Sequence, residues 1–157
     1  MEAPISIETA KVPFMDDIEA IDFSMVKLKL QEPPYEGYGW SPLQANEAEI
    51  EYKRFLALKR TYPEKDIVPN RDVDIFWHQH ILDTEKYAID CEEIFGYFLH
   101  HYPYFGMNGK DDEQNLMDAF NETKYLYKEH FDLDYAGKPK RCVAPKCRTQ
   151  CKPMKCK

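Results

Sequence analysis

Residues 72–84 read Asp72-Val73-Asp74-Ile75-Phe76-Trp77-His78-Gln79-His80-Ile81-Leu82-Asp83-Thr84. Apolar side chains recur here at the three-to-four-residue spacing of an α-helix, not at the two-residue spacing of a strand. The stretch carries two histidines and the pair His100-His101 follows it, so four of the chain's five histidines fall within 24 residues. Histidine is the commonest metal ligand and titrates near neutral pH. The stretch therefore predicts a helix whose histidines belong either to a functional site or to an unusually polar part of the core.

Helix signals recur in the rest of the chain. Ser41 is a typical cap, Pro42 suits a first turn, and Gln44 can complete a capping box. Asp72 is a plausible N-cap of the next helix, and a break in that helix is expected near Asp83-Thr84. Few segments alternate with period two, so the fold class is all-α, a compact bundle of roughly four to six helices. The predicted helices span residues 16–30, about 42–60, 72–99 and 112–130.

Charge divides the chain into two parts. Of the 21 basic residues, eight lie in residues 136–157, which hold no acidic residue, so residues 1–135 combine the other 13 with all 28 acidic residues and carry −15. We expect a helical domain over 1–135 and a basic, cysteine-rich tail over 136–157. The sequence has no run of 18 apolar residues and no leader-like N-terminus, so a cytoplasmic protein without membrane contact is expected.

Helical geometry sorts the side chains around the histidines. At 100° per residue His80 falls on the apolar face, whereas His78 lies about 160° away and would not share an ion with it on one continuous helix. A buried imidazole needs a hydrogen bond or a metal. Trp77 and Phe98 are expected to anchor the core. The predicted inward face comprises Phe76, Trp77, His80, Thr84, Tyr87, Cys91, Ile94 and Phe98.

Two interpretations of this face stay open. In the first, His80 is a core histidine satisfied by Tyr87 or a backbone carbonyl, Cys91 is a small core residue, and Asp72 and Asp74 only stabilise the start of a helix. In the second, the face forms a pocket for a metal or for acid–base chemistry. Its pocket residues would be Trp77, His80, Asp83, Thr84 and Tyr87. Its ligands for zinc or another transition metal would come from His78, His80, Asp83, Cys91 and His101.

Catalysis is a third hypothesis. His80 would be a general base and Asp83 would orient it. The sequence contains no His-Glu-x-x-His, Gly-x-Ser-x-Gly, dinucleotide-binding or P-loop motif to accompany that pair. Whether the protein is an enzyme is therefore left open.

The tail offers a second set of metal ligands. Cys142, Cys147, Cys151 and Cys156 lie among lysines and arginines, which favour thiolates. Four thiolates suit zinc or Cu(I). A disordered tail without metal, a pair of disulfides and a segment processed by other enzymes are the alternatives.

Several of these pieces together resemble the glycine-rich domain-containing protein-like family. They are Trp77-His78-Gln79-His80-Ile81-Leu82-Asp83-Thr84, then Tyr87, Asp90-Cys91, Phe95-Gly96 and His100-His101-Tyr102-Pro103-Tyr104-Phe105-Gly106. The resemblance covers about residues 40–131. It implies kinship with larger plant proteins linked to development and stress, some of which have an RNA-recognition module. It does not assign catalytic residues to this chain. This chain has only 6 glycines and no such module, so the resemblance does not imply an RNA-related role here.

These observations favour a small cytosolic helical protein that binds a transition metal or a small ligand through a His/Asp pocket and the four-cysteine tail. The alternative is a non-enzymatic interaction module whose basic tail contacts an acidic protein partner. Nucleic acid could bind only through that tail, because phosphate binding needs clustered lysines and arginines that the acidic body lacks.

Overall fold

A computed structural model describes residues 15–137 of the chain. This part contains six α-helices and no β-strand, which confirms the predicted all-α bundle. None of its helices is both long enough and apolar enough to cross a bilayer. The helices are α1 (Asp16–Glu19), α2 (Ser24–Gln31), α3 (Pro42–Thr61), α4 (Arg71–Leu82), α5 (Thr84–Phe95) and α6 (Gly109–Phe131).

Side-chain caps start the two central helices. The Ser41 hydroxyl accepts a hydrogen bond from the backbone N–H of Gln44 at 3.1 Å, as predicted. The Gln44 side chain does not close a capping box; it donates to Asp72 at 3.3 Å instead. The predicted cap of α4 is also wrong. Asn70 caps this helix by accepting from the backbone N–H of Val73 at 2.9 Å, so Asp72 lies inside the first turn.

The chain breaks its helices at short, definable points. The helix predicted over residues 16–30 is divided into α1 and α2, and the Asp22 carboxylate accepts from the backbone N–H of Ser24 at the start of α2 (2.9 Å). The break expected near Asp83 is confirmed, because Asp83 has φ −83° and ψ 74° and interrupts the helix between α4 and α5. Gly96 then ends α5 with φ 75°, a conformation that favours glycine.

Helix α3 is the centre of the bundle. It packs against α1, α2, α4 and α6, while α4 also contacts α2 and α5. Aromatic rings fill the space between α3 and α4: Phe55 and Trp77 have ring centroids 5.1 Å apart, and those of Tyr52 and Phe76 are also 5.1 Å apart. Large rings bury much apolar area each, so this layer dominates the core. Helix α4 is therefore held in one rotation about its axis.

The predicted inward face of the 72–99 segment is correct only in part. Trp77, His80, Tyr87, Cys91 and Ile94 are buried. Phe98, expected to be a core anchor, is 46% exposed because α5 ends at Phe95 and the helical periodicity stops there. Thr84 is exposed as well, since the break at Asp83 restarts the helical rotation.

Replacement of Trp77 by alanine tests the position of the core. Trp77 is 3% exposed and packs on Phe55, so Trp77→Ala is expected to lower the free energy of unfolding by about 3–5 kcal/mol. Urea unfolding monitored by circular dichroism measures the loss. Phe98→Ala is the matched control and should cost about 1 kcal/mol or less, as exposed positions usually do. Equal losses for the two variants would contradict the placement of both rings.

Candidate metal site

Three potential metal ligands converge beside α4. The Nε2 atoms of His78 and His101 lie 3.0 Å apart. Asp74 completes the group, with Oδ1 2.8 Å from His101 Nε2 and Oδ2 3.2 Å from His78 Nε2. Asp74 is buried, whereas His78 and His101 are partly exposed. This triad, Asp74, His78 and His101, is the single group in residues 15–137 with three His, Cys, Asp or Glu ligand atoms close enough to hold one ion.

Local geometry explains how the triad assembles. Asp74 and His78 lie four residues apart on α4, so their side chains occupy the same face of the helix. His101 comes from the loop after α5. Helix breaks at Asp83 and Gly96 separate this loop from α4, and His101 contacts the face of α4 that carries Asp74 and His78. On one uninterrupted helix, residues 78 and 101 would lie about 35 Å apart.

The interatomic distances approach those around a coordinated cation. Zinc binds histidine nitrogen and carboxylate oxygen at about 2.0–2.2 Å, so neighbouring ligand atoms around a tetrahedral ion lie about 3.3–3.6 Å apart. The triad distances of 2.8, 3.0 and 3.2 Å are slightly shorter, so the three side chains would separate by several tenths of an ångström around zinc. The same distances also suit hydrogen bonds in which the Asp74 carboxylate accepts from the two imidazoles. A cation can instead receive a lone pair from each residue.

A cavity adjoins the triad. It has a volume of about 150 Å³. Asp74 and His101 line one part of it, and Trp77, Phe105 and Leu116 supply apolar walls. A metal ion held by the triad would therefore border a space in which a small molecule fits.

A buried hydrogen-bond chain positions His101. The Trp77 indole N–H donates to the Tyr87 hydroxyl (3.0 Å), and that hydroxyl donates to the backbone carbonyl of Leu99. This fixes the loop two residues before His101. The Trp77 ring also packs on the His101 ring, with centroids 4.2 Å apart and planes at 34°. Trp77 and Tyr87, predicted as pocket residues, thus act on the site by holding the loop and the imidazole.

His80 lies on the other side of α4, in a different network. Its Nε2 is 2.8 Å from the Asp90 carboxylate, and its Nδ1 is 2.7 Å from the Tyr52 hydroxyl. Since a carboxylate can only accept, Nε2 carries the proton, and Nδ1 accepts from Tyr52. Burial lowers the pKa of His80, which favours this neutral ring. With 1% exposure and both nitrogens engaged, His80 is a core histidine, satisfied by Tyr52 and Asp90 rather than by Tyr87.

The remaining predicted residues are not part of the triad. Asp83 is exposed and Asp90 takes the place beside His80 that the acid–base hypothesis gave to Asp83. Thr84 is exposed. Cys91 is buried, and burial raises the pKa of its thiol, which disfavours the thiolate that metals bind. Cys142, Cys147, Cys151 and Cys156, the predicted ligands of the tail, lie outside the described residues.

Sequence reasoning missed Asp74. Its position near the start of α4 suggested a residue that only stabilises the helix dipole, but its side chain is 3% exposed and contacts two imidazoles. The available signal was the spacing Asp74-x-x-x-His78, which places a carboxylate and an imidazole on the same face of any helix. His101 is among the ligands predicted from the sequence, but spacing alone does not group it with Asp74 and His78, because its approach to α4 depends on tertiary structure.

Comparison with known proteins agrees with the resemblance found in the sequence. The profile of the family described as UCP032817-like matches residues 23–126, from α2 into α6. Glycine-rich domain-containing protein 1 of Arabidopsis thaliana is 31% identical over 99 residues, which are 60% of this chain. The matched region is 12% of the length of that relative. No solved structure matches the chain.

The hydroxyl of Tyr87 can be tested by its removal. Tyr87→Phe keeps the ring but leaves the Trp77 N–H and the Leu99 carbonyl without this buried partner. We expect the free energy of unfolding to fall by about 1–3 kcal/mol. Urea unfolding with a chelator present, so that bound metal does not contribute, measures it. Tyr125→Phe, at a 62% exposed tyrosine, should change stability by less than about 0.5 kcal/mol. A Tyr87→Phe variant as stable as this control would refute the positioning role.

Proposed function

This chain belongs to the UCP032817-like family, and we propose that it binds a divalent transition metal ion through Asp74, His78 and His101. The observation that supports this most directly is the convergence of two imidazole nitrogens and a carboxylate within 3.2 Å of one another. The proposal retains His78 and His101 from the sequence prediction. It replaces His80, Asp83 and Cys91 with Asp74.

The chemistry of the ligands favours particular metals. Imidazole suits zinc, iron, copper and nickel, whereas calcium and magnesium prefer shells made of oxygen atoms. Two histidines and one carboxylate are the ligand types of several catalytic zinc sites and of non-haem Fe(II) sites. Zinc is the ion we propose first, because it accepts three protein ligands and a water molecule without a redox partner.

Three ligands from the protein leave a coordination position for water or a small molecule. Structural zinc sites, by comparison, are usually closed by four protein ligands. The partial exposure of His78 and His101 and the neighbouring cavity support access from solvent. We therefore propose that the metal binds a ligand and does not only stabilise the fold.

Cobalt titration of the 157-residue chain tests metal binding. The four tail cysteines are first replaced by serine, because their thiolates could bind metal independently. After dialysis against chelator, we expect one equivalent of Co²⁺ to bind and to produce visible d–d absorption without a thiolate charge-transfer band. Elemental analysis of wild-type protein purified without chelator provides the complementary measurement.

Two histidine variants supply the comparison. His78→Ala removes a partly exposed ligand, and it should weaken Co²⁺ binding more than about 100-fold, because losing even a residue that only supports a ligand costs 10- to 100-fold. His100→Ala removes an exposed histidine next to His101 and should bind Co²⁺ normally. Circular dichroism checks that both variants fold. The proposal fails if the starting protein takes up no metal, or if the two variants lose affinity equally.

A further inference from the structure

The cavity beside the triad has a mostly apolar wall with a few polar groups. Ile67, Trp77, Phe105 and Leu116 contribute apolar surface, and they come from the loop before α4, from α4, from the loop after α5 and from α6. The volume of about 150 Å³ equals that of cavities that accept a benzene-sized ring in other proteins. This is smaller than the roughly 300–1,000 Å³ of typical drug-sized pockets. The occupant should therefore be small and partly apolar.

Lys59 brings a positive charge to this cavity. Its side chain comes from α3 and is half-buried, with Nζ 5.8 Å from the ring centroids of both Phe55 and Trp77. Within the part of the chain that the structure describes, Lys59 has no carboxylate at ion-pair distance. Asp66, which also lines the cavity, acts on Lys59 electrostatically and is itself exposed. Burial lowers the pKa of Lys59. A partly desolvated ammonium without a direct counter-ion is suited to receive an anion.

A metal in the triad would add to this positive field. A divalent ion keeps one net positive charge after binding the Asp74 carboxylate and two neutral imidazoles. Asp74 and His101 line the same cavity as Lys59, so ion and ammonium would face a common space. Residues 1–135 are strongly acidic as a whole, so this local excess of positive charge differs from the rest of the surface. The positive charge favours an anionic group on the ligand, and the apolar wall favours a hydrophobic remainder.

We propose that the cavity binds a small carboxylic acid with a planar apolar body about the size of a benzene ring. The carboxylate occupies the open position of the metal and is attracted by Lys59, and the ring lies against Trp77 and Leu116. This inference rests on the metal binding proposed above and names the ligand class of the same site.

Benzoate is the probe for this inference. The 157-residue chain with the four tail cysteines changed to serine is loaded with Co²⁺ and titrated with benzoate, with benzamide and with acetate. Benzoate is expected to alter the cobalt d–d bands, because its carboxylate enters the coordination shell. Benzamide lacks the charge and should leave them unchanged. Acetate lacks the ring and should bind at least about tenfold more weakly than benzoate.

Matched lysine variants test the second charge. Lys59→Met keeps most of the side-chain volume and should weaken benzoate binding about tenfold or more. Lys124→Met is the control: Lys124 is exposed on α6, and its Nζ also lies 5.8 Å from a ring centroid, that of Phe120. It should bind benzoate like the starting protein. Leu116→Trp, which fills the cavity, should abolish benzoate binding while Co²⁺ uptake persists.

The outcomes separate the two proposals. If no Co²⁺ binds, both the metal site and this inference are refuted. If Co²⁺ binds but benzoate does not change its spectrum, or if benzamide or acetate binds as tightly, the ligand class is wrong and the metal site stands. Equal benzoate affinities for Lys59→Met and Lys124→Met would likewise overturn the inference.

Discussion

The buried imidazole of His80 joins three helices at one point. It accepts from Tyr52 on α3 and donates to Asp90 on α5, while its own backbone belongs to α4. Phe23 and Tyr87 close around the ring at 4.8 Å between centroids. In a low-dielectric interior an unpaired imidazole or hydroxyl is costly, so the burial of His80 and Tyr52 requires the helices to meet where both bonds form; the Asp90 carboxylate also pairs with Lys86 at 3.1 Å. That requirement fixes how α4 is rotated.

The rotation of α4 determines which side chains reach the site. With His80 directed toward α3 and α5, His78 projects from nearly the opposite side of the helix, and Asp74 lies one turn before it on the same side. The two histidines of one short motif therefore have different roles. His80 helps to assemble the core, and His78 belongs to the triad. A change that rotated α4 would disturb both at once, which couples stability of the bundle to geometry of the site.

Much of the fold could be predicted because its signals are local. The capped start of α3 at Ser41, the break at Asp83 and the inward position of Trp77 all follow from neighbouring residues. The prediction fails where the helical phase is carried across a break. Counting through Gly96 places Phe98 on the inward face, but the left-handed conformation of Gly96 ends the periodicity. Periodicity predicts a face only within an uninterrupted helix.

The site was only half predictable, because it joins a local pattern to a distant residue. His78 and Asp74 lie four residues apart and share a helical face, so spacing alone relates them. Such i,i+4 pairs are common on helix surfaces, however, and do not by themselves indicate a metal site. His101 converts the pair into a triad, and its position depends on the helix breaks at Asp83 and Gly96 and on the hydrogen bond from Tyr87 to the carbonyl of Leu99. Those features come from packing. The Trp77 ring packs on His101, and the Tyr87 hydroxyl holds Leu99 two residues earlier. Both side chains also belong to the core, so side chains that stabilise the bundle help to set the position of the third ligand.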